Sequence, residues 1–131
     1  MNTPPRATGS AWQRLCQRFG WAWRGVMVLF RTQANARIHA MVALAVVGAG
    51  FAFHISAGEW CAVSGAIALV LVAEAINTAI EAVVDLASPE VHPLAGRAKD
   101  VAAGAVLIAA VVSVVIGLLV FGPHLLTLIG R

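Results

Sequence analysis

Hydrophobic and polar positions change rhythm several times along the chain. Over residues 11–32 the apolar positions recur at helical spacing. At 100° per residue, Trp12, Leu15, Phe19, Trp23, Val26 and Phe30 fall within an arc of about 80°. Arg14, Arg18, Arg24 and Arg31 lie on the opposite half. The pattern predicts an amphipathic helix at a membrane surface, with aromatics in the acyl boundary and arginines among headgroups. A helix packed on its own protein would share part of that pattern. Residues 1–10, with Pro, Thr, Ser and Gly, read as a loose tail. Beyond them the two-sided rhythm gives way to long apolar runs at about 36–53, 60–85 and 99–121. Roughly 20 apolar residues cross the hydrocarbon as a helix, so three transmembrane helices are expected. His54-Ile55-Ser56-Ala57-Gly58 reads as a tight turn between the first two. Ala87-Ser88-Pro89 ends the second, because proline disfavours helix in the residue before it. A loop over 86–98 holds Glu90, His92, Pro93 and Gly96, and Gly122-Pro123 is expected to stop the third span. The predicted fold is an all-α membrane protein: one surface helix and three spans in a single membrane-embedded domain over 1–131.

Composition strengthens this reading. The chain has 131 residues, 60% hydrophobic and 11% charged. A soluble domain carries about 25% charged residues, so this chain cannot coat a water-facing surface. The length leaves no room for a separate soluble catalytic domain. The net charge of +3 matters less than its placement. Arg6, Arg14, Arg18, Arg24 and Arg31 precede the first apolar run, Arg37 and His39 stand at its entrance, and Arg97 and Lys99 flank the third. The turn at 54–59 has no basic residue besides His54, and the C-terminal tail has Arg131. The positive-inside rule puts the N-terminus and the second loop on the cytoplasmic side. A nucleic-acid partner is not expected, since the apolar remainder demands a membrane. Cys16 and Cys61 form no metal or disulfide spacing and read as small apolar residues. The first thirty residues have no uninterrupted apolar core, so a cleaved signal peptide is not expected.

Against this background the polar residues of the second span carry the information. It contains Glu74, Asn77, Thr78, Glu81 and Asp85. With Glu74 at zero, Asn77 falls at about −60°, Glu81 at about −20° and Asp85 at about +20°. These four share one face and form a stripe about 16 Å long, from the cytoplasmic edge inward. Buried carboxylates cost several kcal/mol unless paired, solvated or bound to metal, and a multivalent cation relieves their mutual repulsion. One polar residue would read as interhelical glue; an aligned set of four points to function. Lys99 and Asp100 would approach Asp85 if spans two and three form an antiparallel hairpin. Carboxylates to hold metal, a lysine for phosphate and a glutamate to accept a hydroxyl proton suit phosphoryl transfer. The chain lacks a G-x-x-x-x-G-K-[ST] loop, so nucleotide would be held another way. An ion or proton pathway fits the same stripe, and the residues alone do not separate the two.

A resemblance does. Glu74-Ala-Ile-Asn77-Thr78-Ala79-Ile80-Glu81-Ala-Val-Val-Asp85 resembles the signature of the bacterial diacylglycerol kinase and undecaprenol kinase family. So do His92-Pro93-Leu94-Ala95-Gly96-Arg97-Ala98-Lys99-Asp100 and Ala102-Ala103-Gly104-Ala105-Val106, at the family's spacing. The likeness runs from about Arg14 to Phe121. It implies a homotrimer with sites shared between subunits, and Mg2+-assisted transfer of the ATP γ-phosphate to a lipid hydroxyl at the inner membrane. By resemblance Glu74 is the general base, Asn77 a positioning residue and Glu81 a metal ligand. Asp85, His92, Lys99 and Asp100 are nucleotide- or phosphate-contacting positions, and Arg14 and Trp21 sit where the surface helix meets nucleotide. Trp21 replaces the more usual tyrosine. Asn35-Ala-Arg37-Ile38-His39 and the His-Pro-Leu block look like the undecaprenol kinase branch. The pattern departs at Gln33, where the family has a second metal-binding glutamate. An amide oxygen can contact a cation but adds no charge, so lowered activity is expected; full activity would mean that another group supplies the ligand, first of all Glu90, a candidate nucleotide- or phosphate-binding residue on the same side.

Overall fold

A computed structural model of the chain describes residues 10–130. The expected tail lies outside them except for Ser10, as do Arg6 and Arg131. Four helices follow one another: α1 (Ala11–Thr32), α2 (Ala34–Phe53), α3 (Ala57–Ala87) and α4 (Pro93–Ile129). The last three are long and apolar enough to cross a membrane.

Local chemistry sets the helix ends. Ser10 and Gln13 form a capping box at the start of α1, satisfying two backbone donors that a helix N-terminus leaves open. Gln33 alone separates α1 from α2, with extended backbone at φ −101° and ψ 115°. Arg37 bridges this break. Its guanidinium donates to the Phe30 and Arg31 carbonyls at 3.1 and 3.2 Å, which are orphaned at the end of α1. At the far end of α2, His54 is left-handed, at φ 54° and ψ 45°. Ser56 and Glu59 then form a second capping box for α3, which shortens the expected turn at 54–59 and starts the helix three residues before Trp60.

The expected loop over 86–98 is a correction. α3 continues to Ala87 and α4 begins at Pro93, leaving 88–92 as the connection. His92 caps α4, its Nδ1 accepting from the Leu94 N–H at 3.2 Å. Pro93 fits the first helical turn because its missing N–H would have no partner there. Gly122-Pro123 does not stop α4, which runs on to Ile129. Proline removes one hydrogen bond, yet apolar helices tolerate it when neighbouring groups hold the backbone in place. Here the His124 ring meets Glu59 at 3.0 Å, and the Thr127 hydroxyl donates to the His124 carbonyl at 2.8 Å.

α3 and α4 form the principal packing, an antiparallel hairpin fixed at three levels. Lys99 pairs with Asp85 at one end. In the middle the Ser113 hydroxyl donates to the Ala66 carbonyl at 3.1 Å, and His124 meets Glu59 at the other end. The most complete apolar packing surrounds Ile55, Val63 and Val120, at the end with the α2–α3 turn. Phe51 stacks on Trp60 there at 5.0 Å between ring centres. Gly50 is what admits Trp60. A Cβ at that position would lie 2.7 Å from Trp60 Cη2, 2.9 Å from Cζ2 and 3.1 Å from Ile55 Cδ1. Gly50→Ala should therefore lower stability by about 1–3 kcal/mol, the usual cost of overpacking. Thermal unfolding in detergent checks this; an unchanged midpoint would mean that Trp60 turns aside freely.

Most apolar side chains outside that cluster face outward, among them Leu44, Leu69, Ile108, Leu118 and Leu119. A single chain in water would expose them, so they require hydrocarbon or other protein around them. The apolar face of α1 is likewise uncovered, from Trp12 to Val26, and only Leu29 is buried.

Candidate functional site

The polar stripe of α3 grades from buried to exposed. Glu74 is 2% exposed and Asn77 8%, Glu81 is half-buried and Asp85 lies open. Its deep half is covered by the chain itself, where α2 packs on α3 at this level. His39 of α2 places its Nε2 3.6 Å from Glu74 Oε1. That oxygen has no hydrogen-bond partner, and neither has the carbonyl oxygen of Asn77. Buried polar atoms left unpaired cost about 1–3 kcal/mol each, so their persistence here points to a use. The Asn77 amide donates to Glu81 Oε1 at 3.1 Å, orienting that carboxylate. The Thr78 hydroxyl turns back to the Glu74 carbonyl at 2.8 Å and leaves the stripe.

At the exposed end, a pocket of about 270 Å³ brings together Asp85, Glu90, His92 and Lys99. The 88–92 connection and the first two turns of α4 build it. The Lys99 ammonium is held by the Asp85 carboxylate, and both side chains are well exposed. Exposed ion pairs contribute only about 0–1 kcal/mol, so the ammonium is easily traded to another anion. His92 has spent one ring nitrogen on its cap, leaving the other for a ligand. Asp100 is exposed and lies outside the pocket's lining. Arg14 and Trp21, on α1, are exposed as well.

The other end of the stripe meets a different environment. A groove of about 360 Å³ between α2, α3 and α4 starts at Ile38 and His39, beside Glu74. It continues outward past Val42, Val46, Val63 and Ile116. Its walls are apolar, and Ser113 spends its hydroxyl on backbone carbonyls.

Metal ligands are only partly assembled. Among the described residues no three His, Cys, Asp or Glu side chains cluster to hold a metal. What is present suits a hard cation shared with a phosphate ligand: the fixed carboxylate of Glu81 and the unpaired carbonyl oxygen of Asn77. Mg2+ takes one or two carboxylates and keeps water and phosphate oxygens in its other positions. Gln33, at the α1–α2 break, makes no side-chain capping bond.

The family model of prokaryotic diacylglycerol kinase matches residues 20–121. The chain belongs to that family. It is 45% identical to the undecaprenol kinase of Bacillus subtilis, over 86% of this chain and 91% of that one. It is 42% identical to the diacylglycerol kinase of Synechocystis, over 91% of this chain and 70% of that one. With the diacylglycerol kinase of Escherichia coli the identity is 32%, over 85% and 91%. Membership places the chain among membrane lipid kinases.

One feature of the site lay beyond sequence reasoning. His39 was legible as a residue at the entrance of the first span, but nothing in its spacing linked it to Glu74. A lone histidine in an apolar helix was the only signal available.

Proposed function

We propose that this chain transfers the γ-phosphate of ATP to the hydroxyl of a membrane-embedded alcohol, undecaprenol ahead of diacylglycerol. The reaction takes place at the cytoplasmic edge of the inner membrane. The observation that carries this reading is the α3 stripe, with an apolar groove at its buried end and the Lys99 pocket at its exposed end. A lipid tail in the groove brings its hydroxyl to Glu74, while the nucleotide enters from water at Asp85, Glu90, His92 and Lys99.

Glu74 acts as general base. The lipid oxygen forms a bond to the γ-phosphorus, the bond from that phosphorus to the ADP oxygen breaks, and the hydroxyl proton passes to the Glu74 carboxylate. Asn77 aligns the reacting groups through its contact with Glu81. Lys99 balances negative charge on the phosphates, and Asp100, Arg14 and Trp21 complete the nucleotide's surroundings. Glu81, with Gln33, would hold Mg2+, which would supply positive charge to neutralise the phosphate oxygens. The α1 arginines and the basic residues at the start of α4 support a cytoplasmic position for this end, with α1 along the headgroups. The uncovered apolar faces support self-association, as a homotrimer. A groove of about 400 Å³ between α3 and α4, reaching Asn77, would then be filled by another copy.

Undecaprenol is favoured by the Asn35-Ala-Arg37-Ile38-His39 block and by the 45% identity to an undecaprenol kinase. Both lipids offered together in mixed micelles test the choice. Undecaprenol should show the higher kcat/KM, and a preference for diacylglycerol would reverse it.

Gln33 tests the metal assignment. Gln33→Glu adds the second carboxylate of the family's pair. It should raise turnover and lower the Mg2+ concentration giving half the maximal rate. No change would assign the second ligand to another group, Glu90 first; a fall in rate would show that position 33 does not face the metal.

A further inference from the structure

A base buried as deeply as Glu74 must lose its proton before it can act again. The lipid occupies the groove side, and the carboxyl is 2% exposed, so direct transfer to bulk water is blocked. Among the described residues, the ionisable side chain beside it is His39, 3.6 Å away and 25% exposed. Nε2 faces the unpaired Oε1 of Glu74, just beyond hydrogen-bond length. Catalytic hydrogen bonds of this kind are often long before ligands bind and shorten in the complex.

The other groups around His39 leave it for this task. Arg37, two residues earlier, is committed to the carbonyls of Phe30 and Arg31. From α3 the titratable neighbour is Glu74. The α3 and α4 residues sharing the groove with His39 are apolar apart from Ser113. Imidazole is also the side chain best able to take up and release a proton between about pH 5 and 8.

We propose that His39 is a positioning residue for Glu74 and the exit route for its proton. The relay rests on the reading of Glu74 as base. The lipid hydroxyl proton moves to the Glu74 carboxylate as the phosphorus–oxygen bond forms. Glu74 passes it to His39 Nε2, giving an imidazolium, and the exposed part of the ring returns one proton to water. Glu74 is again a carboxylate and His39 again neutral.

The test compares His39→Gln, His39→Ala and Glu74→Gln in detergent with ATP, Mg2+ and the lipid alcohol. His39→Gln should lower kcat about tenfold or more while leaving KM for ATP unchanged. The parent's rate should depend on pH between about 5 and 8, and the His39→Gln rate should not. Added imidazole should restore part of the His39→Ala rate, in proportion to its concentration, and do nothing for Glu74→Gln. Loss of rate in both His39 variants with no imidazole rescue would mean a purely structural role and would overturn the proposal. So would a His39→Gln enzyme with the parent's kcat and pH profile. If that occurs while Glu74→Gln is inactive, the relay alone falls. If Glu74→Gln stays active, the base assignment and the relay fall together.

Discussion

Glu74→Gln is expected to lose nearly all turnover while still binding ATP. The substitution keeps the size of the side chain and removes its ability to take a proton. General base catalysis typically contributes 10²–10⁴-fold, or about 2.7–5.4 kcal/mol of barrier. The buried amide should not disturb the pocket at Asp85 and Lys99, about 16 Å along the helix. Nucleotide affinity should therefore change little, and loss of rate with affinity intact is the signature of a group that acts only on the reacting hydroxyl. Stability gives a separate readout. Glutamine in place of a buried carboxylate removes a desolvation cost, so the variant should unfold no earlier than the parent. If turnover stays within about tenfold, which is only 1.4 kcal/mol, Glu74 is not the base.

Lys99→Met carries the second large effect. Its ammonium is the cation lining the exposed pocket that can reach phosphate as a point charge. Removing one donor that stabilises developing charge costs about 10²–10³ in rate. KM for ATP should rise as well, because the same charge serves the bound nucleotide. Thermal stability should barely move, since the exposed pair with Asp85 contributes little. Lys99→Arg should recover part of the rate, because it keeps the charge but changes its shape. A Lys99→Met enzyme with near-normal kcat/KM for ATP would remove this lysine from the nucleotide site.

The physics of a single helix explains what could be read in advance. Hydrophobic run length marked the three long helices, since hydrocarbon thickness sets a minimum span. Angular spacing along one helix put Glu74, Asn77, Glu81 and Asp85 on a common face, and the structure shows them graded along it. The meeting of Lys99 with Asp85 followed from assuming an antiparallel hairpin across a short connection. Contacts between helices were harder. Periodicity says which side of α2 carries His39 but not which side of α3 it meets, so the pairing with Glu74 stayed hidden. The same holds for His124 and Glu59, which lie on helices whose register spacing alone does not fix. Gly122-Pro123 misled because proline rules come from helices in water, whereas α4 is held by its neighbours. Pro93 misled in the opposite sense: in a first turn it starts a helix. The covering of Glu74 by α2 depended on how tightly that helix crosses α3, which no residue pattern encodes.

Passage of a phosphoryl group from nucleotide to lipid at the α3 stripe can be followed directly. The most direct measurement supplies the purified protein, in detergent with Mg2+ and a long-chain alcohol, with ATP labelled at the γ-phosphate. The label is then followed into the organic phase. Labelled phospholipid should accumulate with time, require the lipid alcohol and disappear with Glu74→Gln. Label released only as inorganic phosphate, or none transferred to any long-chain alcohol even with Gln33→Glu, would contradict this transfer.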